Sequence, residues 1–271
     1  MPVLTINNLR ITDKRSGLEL VNGISFSVPA NRCLGLVGES GSGKSLTCKA
    51  IMGVLDPWLE AGGEIIFDGI DLMRLSDQGM RAIRGARIGL IIQEAQSAFN
   101  PLYKIGGQMI ETLRTHQKLT EEQARHLAER SLAGLLFNDP KSVMLKYPHQ
   151  LSGGMLQRVM GAVTLALNPE LIIADEPTSS LDSLSQKEVI DQFQKIKNTE
   201  QASLVFVSHD FGVVRRLADQ IVVLKHGRVV EQGLTADVFG HPAEAYTQSL
   251  VAAHTALSER FRDMTGRMGV T

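Results

Sequence analysis

Residues 38–45 read Gly38-Glu39-Ser40-Gly41-Ser42-Gly43-Lys44-Ser45, and this order matches the phosphate-binding pattern G-x-x-x-x-G-K-[ST]. Glycines let successive backbone N–H groups point at phosphate oxygens, because a Cβ would block the close approach. Lys44 adds a positive charge for the β- and γ-phosphates, and the Ser45 hydroxyl is a ligand for Mg²⁺. The loop, together with Leu46 after it, therefore predicts a site for a nucleotide and Mg²⁺.

The residues on both sides of this loop support a nucleotide site. Residues 33–37, CLGLV, form an apolar run that predicts a buried strand before the loop. Residues 44–54 follow with a helical pattern, so the loop meets the N-terminus of a helix, where an anion is favoured.

Composition narrows the class of protein. The chain has 271 residues, 43% of them hydrophobic, and a net charge of −1. A net charge near zero gives no positive electrostatic field that would attract nucleic acid, so nucleic acid is not the expected partner. Two cysteines, Cys33 and Cys48, are too few for a disulfide framework and favour a reducing cytoplasm. The start lacks a signal-peptide pattern, and no apolar run approaches the roughly 18 residues that span a bilayer, so membrane contact is expected only through a partner.

The first third of the chain has a strand-like pattern. Residues 3–11 and 18–28 mostly alternate apolar and polar positions, which predicts antiparallel strands. Residues 63–68 predict a further strand that ends in an Asp-Gly turn, and residues 88–92 predict a buried one.

A helical pattern then occupies residues 95–167, where Thr120-Glu121-Glu122-Gln123 is a capping box for a helix that continues past Ala133. After it, short buried runs alternate with helical segments, which predicts a mainly parallel sheet that the strand before residues 38–45 joins. The runs are residues 171–174, 204–207 and 221–224; a turn at 226–227 leads into residues 228–232, and residues 235–271 predict a mostly helical tail.

Two carboxylates, Asp175 and Glu176, follow the apolar run of residues 171–174. Strand ends in an open α/β sheet deliver side chains to the crevice where ligands bind. Asp175 is placed to hold Mg²⁺, directly or through water, opposite Ser45, and Glu176 to orient or deprotonate an attacking water. An acidic pair at a strand end is more often only solvated, but its pairing with residues 38–45 favours the functional interpretation.

A second anion-binding element lies at residues 151–158, LSGGMLQR. Ser-Gly-Gly before a helical run presents unobstructed N–H groups at the positive end of a helix, yet one nucleotide rarely needs two such loops from one chain. LSGGMLQR resembles the signature motif of ATP-binding cassette (ABC) ATPases, and the order of motifs along nearly the whole chain follows that family.

This resemblance implies an α/β fold: a P-loop NTPase (RecA-like) core with an antiparallel β subdomain and an inserted helical signature subdomain. Residues 1–250 would form a single ATPase domain that contains the helical subdomain at 94–165, and residues 251–271 a C-terminal helical tail. In the family, two cassettes pair head to tail, and the signature of each closes over the nucleotide held by the other. The residues that would act in trans are Ser152, Gly153, Gly154 and Gln157.

The same resemblance assigns three further residues. Gln93 matches the Q-loop glutamine, which contacts Mg²⁺ or water and links the site to membrane subunits. His209 matches the switch histidine, which senses the γ-phosphate, and Asp182 in Ser180-Leu181-Asp182 matches the D-loop at the dimer interface. The expected catalytic residues are Lys44, Glu176 and His209; the expected Mg²⁺ residues are Ser45, Gln93 and Asp175.

Three segments resemble the ATP-binding subunits of peptide and nickel importers: residues 97–102, residues 146–148, and the ending His241-Pro242…Tyr246-Thr247…Leu250. Peptide-importer subunits commonly carry a cysteine-bearing segment near the C-terminus, and no cysteine follows Cys48 here. Further segments look closer to nickel-type subunits, including those that import a metal bound to an opine-like metallophore. Metal import is therefore the expectation, and dipeptide or oligopeptide import is the second candidate.

An importer subunit of this kind implies several partners. They are a second cassette, identical or homologous, two integral membrane permeases and an extracytoplasmic solute-binding protein, assembled at the cytoplasmic face of a bacterial inner membrane. An exporter cassette, or a non-transport ABC ATPase acting on nucleic acid or ribosomes, would share the same nucleotide motifs. The non-transport ATPases usually carry a long coiled coil, zinc modules or two fused cassettes, and the sequence shows none of these.

Asp13 departs from the family pattern. Many cassettes have an aromatic residue shortly after the first strand that stacks on adenine, but the matching position is Asp13, and no aromatic residue follows until Phe26. The sequence therefore predicts adenine recognition that is weak or that depends on another group.

Overall fold

The computed structural model describes residues 1–179, 181–198 and 202–254. The strands are β1 Pro2–Asp13, β2 Glu19–Pro29, β3 Cys33–Val37, β4 Leu59–Phe67, β5 Ile70–Asp71, β6 Ile88–Ile91, β7 Leu171–Asp175, β8 Ser203–Val207, β9 Gln220–Lys225 and β10 Arg228–Leu234. The helices are α1 Lys44–Met52, α2 Asp77–Ile83, α3 Ile105–His116, α4 Glu121–Gly134, α5 Pro140–Leu145, α6 Gly153–Ala166, α7 Ser183–Asn198, α8 Phe211–Leu217 and α9 Thr235–Gly240, and residues 245–254 are also helical.

A six-stranded sheet in the order β10-β9-β3-β8-β7-β6 forms the centre of the protein. Strands β9, β3, β8, β7 and β6 run parallel, and β10 closes one edge antiparallel to β9. Every residue of β3 and β8 is buried, as expected for strands covered on both faces. The predicted parallel sheet, joined by the strand before residues 38–45, is confirmed.

A second, antiparallel sheet has the order β2-β1-β4-β5, which confirms the predicted antiparallel strands. Strand β4 begins at Leu59, four residues before the predicted start, and it pairs with β1 on both sides of Gly63. Glycines weaken the strand signal in a sequence, but here Gly63 has φ 101° and a Cβ on it would collide with the Asn8 carbonyl. The glycines therefore allow an irregularity in the register rather than end the strand.

Helices α3 to α6 pack into a helical region between β6 and β7. The capping box is confirmed, because the Thr120 hydroxyl accepts the N–H of Gln123 and the Gln123 side chain accepts the N–H of Thr120. The helical prediction was wrong for residues 99–104, which precede α3 without helical structure. Pro101 disfavours helical backbone in the residue before it, and the Gln108 side chain fixes the loop through backbone atoms of Asn100 and Tyr103.

The remaining expectations concern the cysteines, the tail and the membrane. Cys33 and Cys48 are both buried free thiols, and burial raises the pKa of Cys33 to about 12. The predicted helical tail is confirmed in α9 and residues 245–254, while residues 255–271 lie outside the described residues. In the described ranges, no helix combines the length and the apolar character needed to cross a membrane.

Candidate active site

Strand β3 runs into residues 38–43 and then into α1, as the sequence predicts. Gly38, Gly41 and Gly43 have φ of 150°, 79° and 103°, where side-chain-bearing residues are rare. A Cβ on Gly38 would collide with the Leu224 carbonyl, and one on Gly43 would lie 3.1 Å from Val21 Cγ2. The backbone of this loop therefore has the shape of a cradle that glycine makes possible, and the cradle fits a phosphate chain.

Lys44 is the first residue of α1, and its side chain bends back over the loop. Its Nζ donates to the carbonyls of Gly38 at 2.8 Å and Glu39 at 2.9 Å. Burial lowers the pKa of Lys44, while the carboxylates of Glu176 and Asp175 act in the opposite direction. The ammonium is thus held at the loop by neutral carbonyl oxygens and by nearby negative charge.

Ser45 and Asp175 meet across the site, although 130 residues separate them. Ser45 Oγ donates to Asp175 Oδ1 at 3.1 Å, and burial raises the pKa of Asp175 despite that bond. A hydroxyl and a carboxylate side by side are hard oxygen ligands that suit Mg²⁺, which usually takes its remaining ligands from water and phosphate. Within the part of the chain that the structure describes, no cluster of three or more His, Cys, Asp or Glu side chains could hold a metal ion.

Glu176 and His209 form a second pair beside the first. Glu176 Oε2 lies 3.2 Å from His209 Nδ1, and the two residues follow neighbouring parallel strands, β7 and β8. Glu176 has φ 47°, a strained backbone conformation for a residue with a side chain, and its N–H donates to the Val207 carbonyl at 3.0 Å. This arrangement can orient a water with a carboxylate and an imidazole at once.

A single open cavity of about 640 Å³ brings most of the predicted residues together. It is lined by Glu39, Ser40, Gly41, Gly43, Lys44, Ser45, Leu46, Gln93, Glu176 and His209. Gly38 and Ser42 lie in the loop beneath it, and Asp175 reaches it through Ser45. The size of the cavity suits a nucleoside triphosphate.

The signature residues do not line this cavity. Ser152 caps α6, since its hydroxyl accepts the N–H of Met155 at 3.2 Å, and both Ser152 and Gly153 are exposed. Gln157 is 3% exposed, and its Nε2 donates to the Ile92 carbonyl at 3.1 Å. Ser152 and Gly153 are therefore open to a partner, whereas the side chain of Gln157 is engaged within its own chain.

The D-loop region packs beside the signature. The Asp182 carboxylate accepts the N–H of Ser185 at 3.0 Å and its hydroxyl at 2.7 Å, near the start of α7. A Cβ on Gly154 would lie 2.8 Å from Ser185 Oγ, so glycine lets α6 approach this segment closely. Ser180, also predicted in this motif, lies outside the described residues.

One contact of the loop has no signal of its own in the sequence. The N–H of Glu39 donates to the Tyr246 hydroxyl at 3.1 Å. The two residues are 207 positions apart, and no local pattern links them. Only the resemblance of the ending to importer subunits singles out Tyr246.

These features together define a P-loop ATPase with a second glycine-rich helix N-terminus, at Ser152 and Gly153, that is exposed and does not line the nucleotide cavity. The chain belongs to the ABC transporter family: the family model described as "ABC transporter" matches residues 21–179. A dimeric ATP-binding cassette, MJ0796 in a post-hydrolysis state bound to ADP and Pi, has the same fold, with a TM-score of 0.76 and 27% identity. That alignment covers 86% of this chain and 98% of the cassette.

Curated relatives are similar over almost the full length. The chain is 40% identical, over 97% of both sequences, to the Metal-staphylopine import system ATP-binding protein CntD of Staphylococcus aureus. It is 38% identical to the Dipeptide transport ATP-binding protein DppD of Bacillus subtilis, an alignment that covers 97% of this chain and 80% of that protein.

Proposed function

We propose that this chain is the ATP-hydrolysing subunit of an importer that takes up nickel or a metal–metallophore complex. The pairing of Ser45–Asp175 with Glu176–His209 around the Lys44 ammonium supports ATP hydrolysis. The cargo follows from the likeness to a metal-staphylopine import protein, which is 40% identical over nearly the whole chain. No metal-binding group of this chain is used to identify the cargo, because the cargo of an importer need not touch its ATPase subunit.

Each residue of the site has a distinct task in this proposal. Ser45 and Asp175 would hold Mg²⁺, which would neutralise phosphate charge when bound, and Gln93, which lines the same cavity, would contact the ion or its water. Lys44 and the N–H groups of residues 38–46 stabilise charge on the phosphates, because phosphoryl transfer requires mainly positioning and electrostatic stabilisation.

Glu176 and His209 act on the attacking water. The carboxylate of Glu176 accepts a proton of the water as the water oxygen bonds to the γ-phosphorus and the bond from that phosphorus to the bridging oxygen breaks, which releases ADP and phosphate. His209 holds that carboxylate from the side and would contact the γ-phosphate. The bond from the Glu176 N–H to the Val207 carbonyl and the contact of its carboxylate with His209 hold Glu176 in place before ATP arrives.

The partners belong to the same proposal. Ser152 and Gly153 are exposed and do not line the cavity of their own chain, which supports action on the nucleotide of a second cassette, identical or homologous, in a head-to-tail pair. Asp182, beside the signature, would lie at that interface. Two membrane permeases and an extracytoplasmic solute-binding protein would complete the importer, with this chain bound peripherally at the cytoplasmic face of the inner membrane and without nucleic acid.

Peptide import is the second candidate, favoured by 38% identity to a dipeptide transport protein. The cargo is tested by reconstituting the chain with the permeases and the solute-binding protein that co-purify with it. We expect ATP hydrolysis to rise when the solute-binding protein carries a nickel–metallophore chelate and to stay at its basal rate with di- or oligopeptides. Stimulation by peptide alone would reverse the assignment. Failure to co-purify with any integral membrane subunit would contradict the transport function.

Adenine recognition gives a separate prediction. Asp13 accepts the N–H of Arg15 at 2.8 Å, and the Arg15 guanidinium lies 4.7 Å from the centre of the Trp58 ring. We expect Asp13→Tyr to lower the Kd for ATP by about fivefold, because base–aromatic stacking contributes about 1 kcal/mol or more. Asp13→Ala, which removes the carboxylate without adding a ring, is the control. Unchanged or weaker ATP binding by Asp13→Tyr would show that no stacking partner is missing.

A further inference from the structure

The C-terminal helical segment, residues 245–254, touches the phosphate-binding loop through one side chain. The N–H of Glu39 donates to the hydroxyl of Tyr246 at 3.1 Å. Tyr246 belongs to the ending that resembles importer subunits, and the site proposed above gives it no task. Its hydroxyl nevertheless contacts the peptide group whose carbonyl accepts a hydrogen bond from Lys44.

Tyr246 and Lys44 bind opposite ends of one peptide group. The carbonyl of Gly38 and the N–H of Glu39 belong to the same planar unit, which turns as a whole. The carbonyl accepts from Lys44 Nζ at 2.8 Å on one side, and the N–H donates to Tyr246 on the other. Hydrogen bonds at both ends of a peptide polarise each other, so each strengthens the other.

This peptide needs an anchor from outside the loop. Gly38 lacks a Cβ and has φ 150°, so steric restriction on its backbone is weaker than at any other residue type. Rotation of the peptide would turn the carbonyl away from the Lys44 ammonium, which is buried and depends on carbonyl acceptors. A hydrogen bond to the N–H end opposes that rotation.

Tyr246 is itself held firmly. The backbone N–H groups of Ala243 and Glu244 donate to the Glu231 carboxylate at 2.8 and 3.2 Å, which fixes the chain just before the helical segment. Lys225 Nζ lies 4.5 Å from the centre of the Tyr246 ring, a cation–π contact. Burial raises the pKa of Tyr246, so its hydroxyl is protonated at neutral pH.

We infer that Tyr246 is a positioning residue for ATP binding, which fixes the Gly38–Glu39 peptide and thereby the direction of the Lys44 ammonium. This inference rests on the proposed role of Lys44 in phosphate binding. It gives the C-terminal segment a task in the nucleotide site of its own chain.

A double-mutant cycle on the full-length chain tests the inference. The Kd for ATP is measured by equilibrium dialysis for the wild type, Tyr246→Phe, Lys44→Ala and the double variant. We expect Tyr246→Phe to raise the Kd about fivefold, the loss of one hydrogen bond of about 1 kcal/mol, when Lys44 is present. In the Lys44→Ala background the same change should have no effect, because residues that act through one another are not additive. Phe keeps the ring beneath Lys225 and removes only the hydroxyl, so Tm should fall by no more than a few degrees.

Three results would overturn the inference, and the first also identifies an error in the proposed site. Normal ATP affinity of Lys44→Ala alone would remove the proposed role of Lys44. An unchanged Kd for Tyr246→Phe would show that the hydroxyl contact has no effect on binding. An equal loss in both backgrounds would show that Tyr246 supports the fold without acting through Lys44. Tyr103→Phe, at an exposed tyrosine, is the matched control and should bind ATP as the wild type does.

Discussion

Replacement of Glu176 by Gln is expected to lower ATP turnover by about 10²-fold or more while ATP still binds. The Glu176 carboxylate lines the cavity and is the proposed general base, and general bases contribute about 10²- to 10⁴-fold to rate. Gln keeps the size of the side chain and one oxygen, so Lys44 and the Ser45–Asp175 pair remain available for ATP and Mg²⁺. Because the nucleotide persists, the cassette pair should remain closed.

The measurement combines steady-state phosphate release with size-exclusion chromatography in ATP and Mg²⁺. Glu176→Gln should elute as a stable cassette pair with trapped ATP, whereas the wild type should return to single chains as ATP is consumed. Glu122→Gln, on the exposed face of α4, removes a carboxylate away from the site and should hydrolyse ATP normally. Wild-type turnover in Glu176→Gln would contradict the assignment of the base, and loss of ATP binding would show a structural role.

Substitution of Gly38 by Ala is expected to destabilise the chain by about 3 kcal/mol or more and to remove ATP binding. Two destabilising effects, backbone strain and a steric collision, combine at this position. The backbone has φ 150°, where residues with a Cβ are strained, and the new Cβ would collide with the carbonyl of Leu224 in β9. A backbone carbonyl in a central strand cannot move aside as a flexible side chain can.

Thermal unfolding and ATP titration measure both consequences. Gly107→Ala in α3 is the matched control, because a Cβ there meets nothing within 4 Å and the backbone is helical, so Tm should not fall. Alanine is also the better helix former, which favours a small gain in stability. A Gly38→Ala chain with the Tm and ATP affinity of the wild type would show that the loop does not need glycine at this position.

Much of the fold could be predicted because its signals are local. Residues 33–37 are apolar without interruption, and β3 occupies these residues and is entirely buried. The capping box at Thr120 and Gln123 is likewise complete within four residues. By contrast, the start of β4 was misplaced because Gly62 and Gly63 conceal strand pairing that depends on β1.

The same contrast between local signals and long-range contacts holds for the candidate site. The loop of residues 38–45 was recognisable because its chemistry is contiguous. The burial of Gln157 was not, since it depends on how α6 packs against the end of β6. The contact of Tyr246 with Glu39 was also beyond the sequence, because it depends on the path of the chain over 207 residues.

The buried side chain of Gln157 connects the signature helix to the segment that carries Gln93. Ile92, the residue before Gln93, is bound twice by α6: its carbonyl accepts from Gln157 Nε2 at 3.1 Å, and its N–H donates to Met160 Sδ at 3.4 Å. The helix that begins at the signature and the segment that carries Gln93 are therefore joined directly by two hydrogen bonds. If two cassettes pair head to tail as proposed above, nucleotide bound at one signature would be linked to Gln93 of the same chain through these two hydrogen bonds, which gives a direct route for coupling the two nucleotide sites.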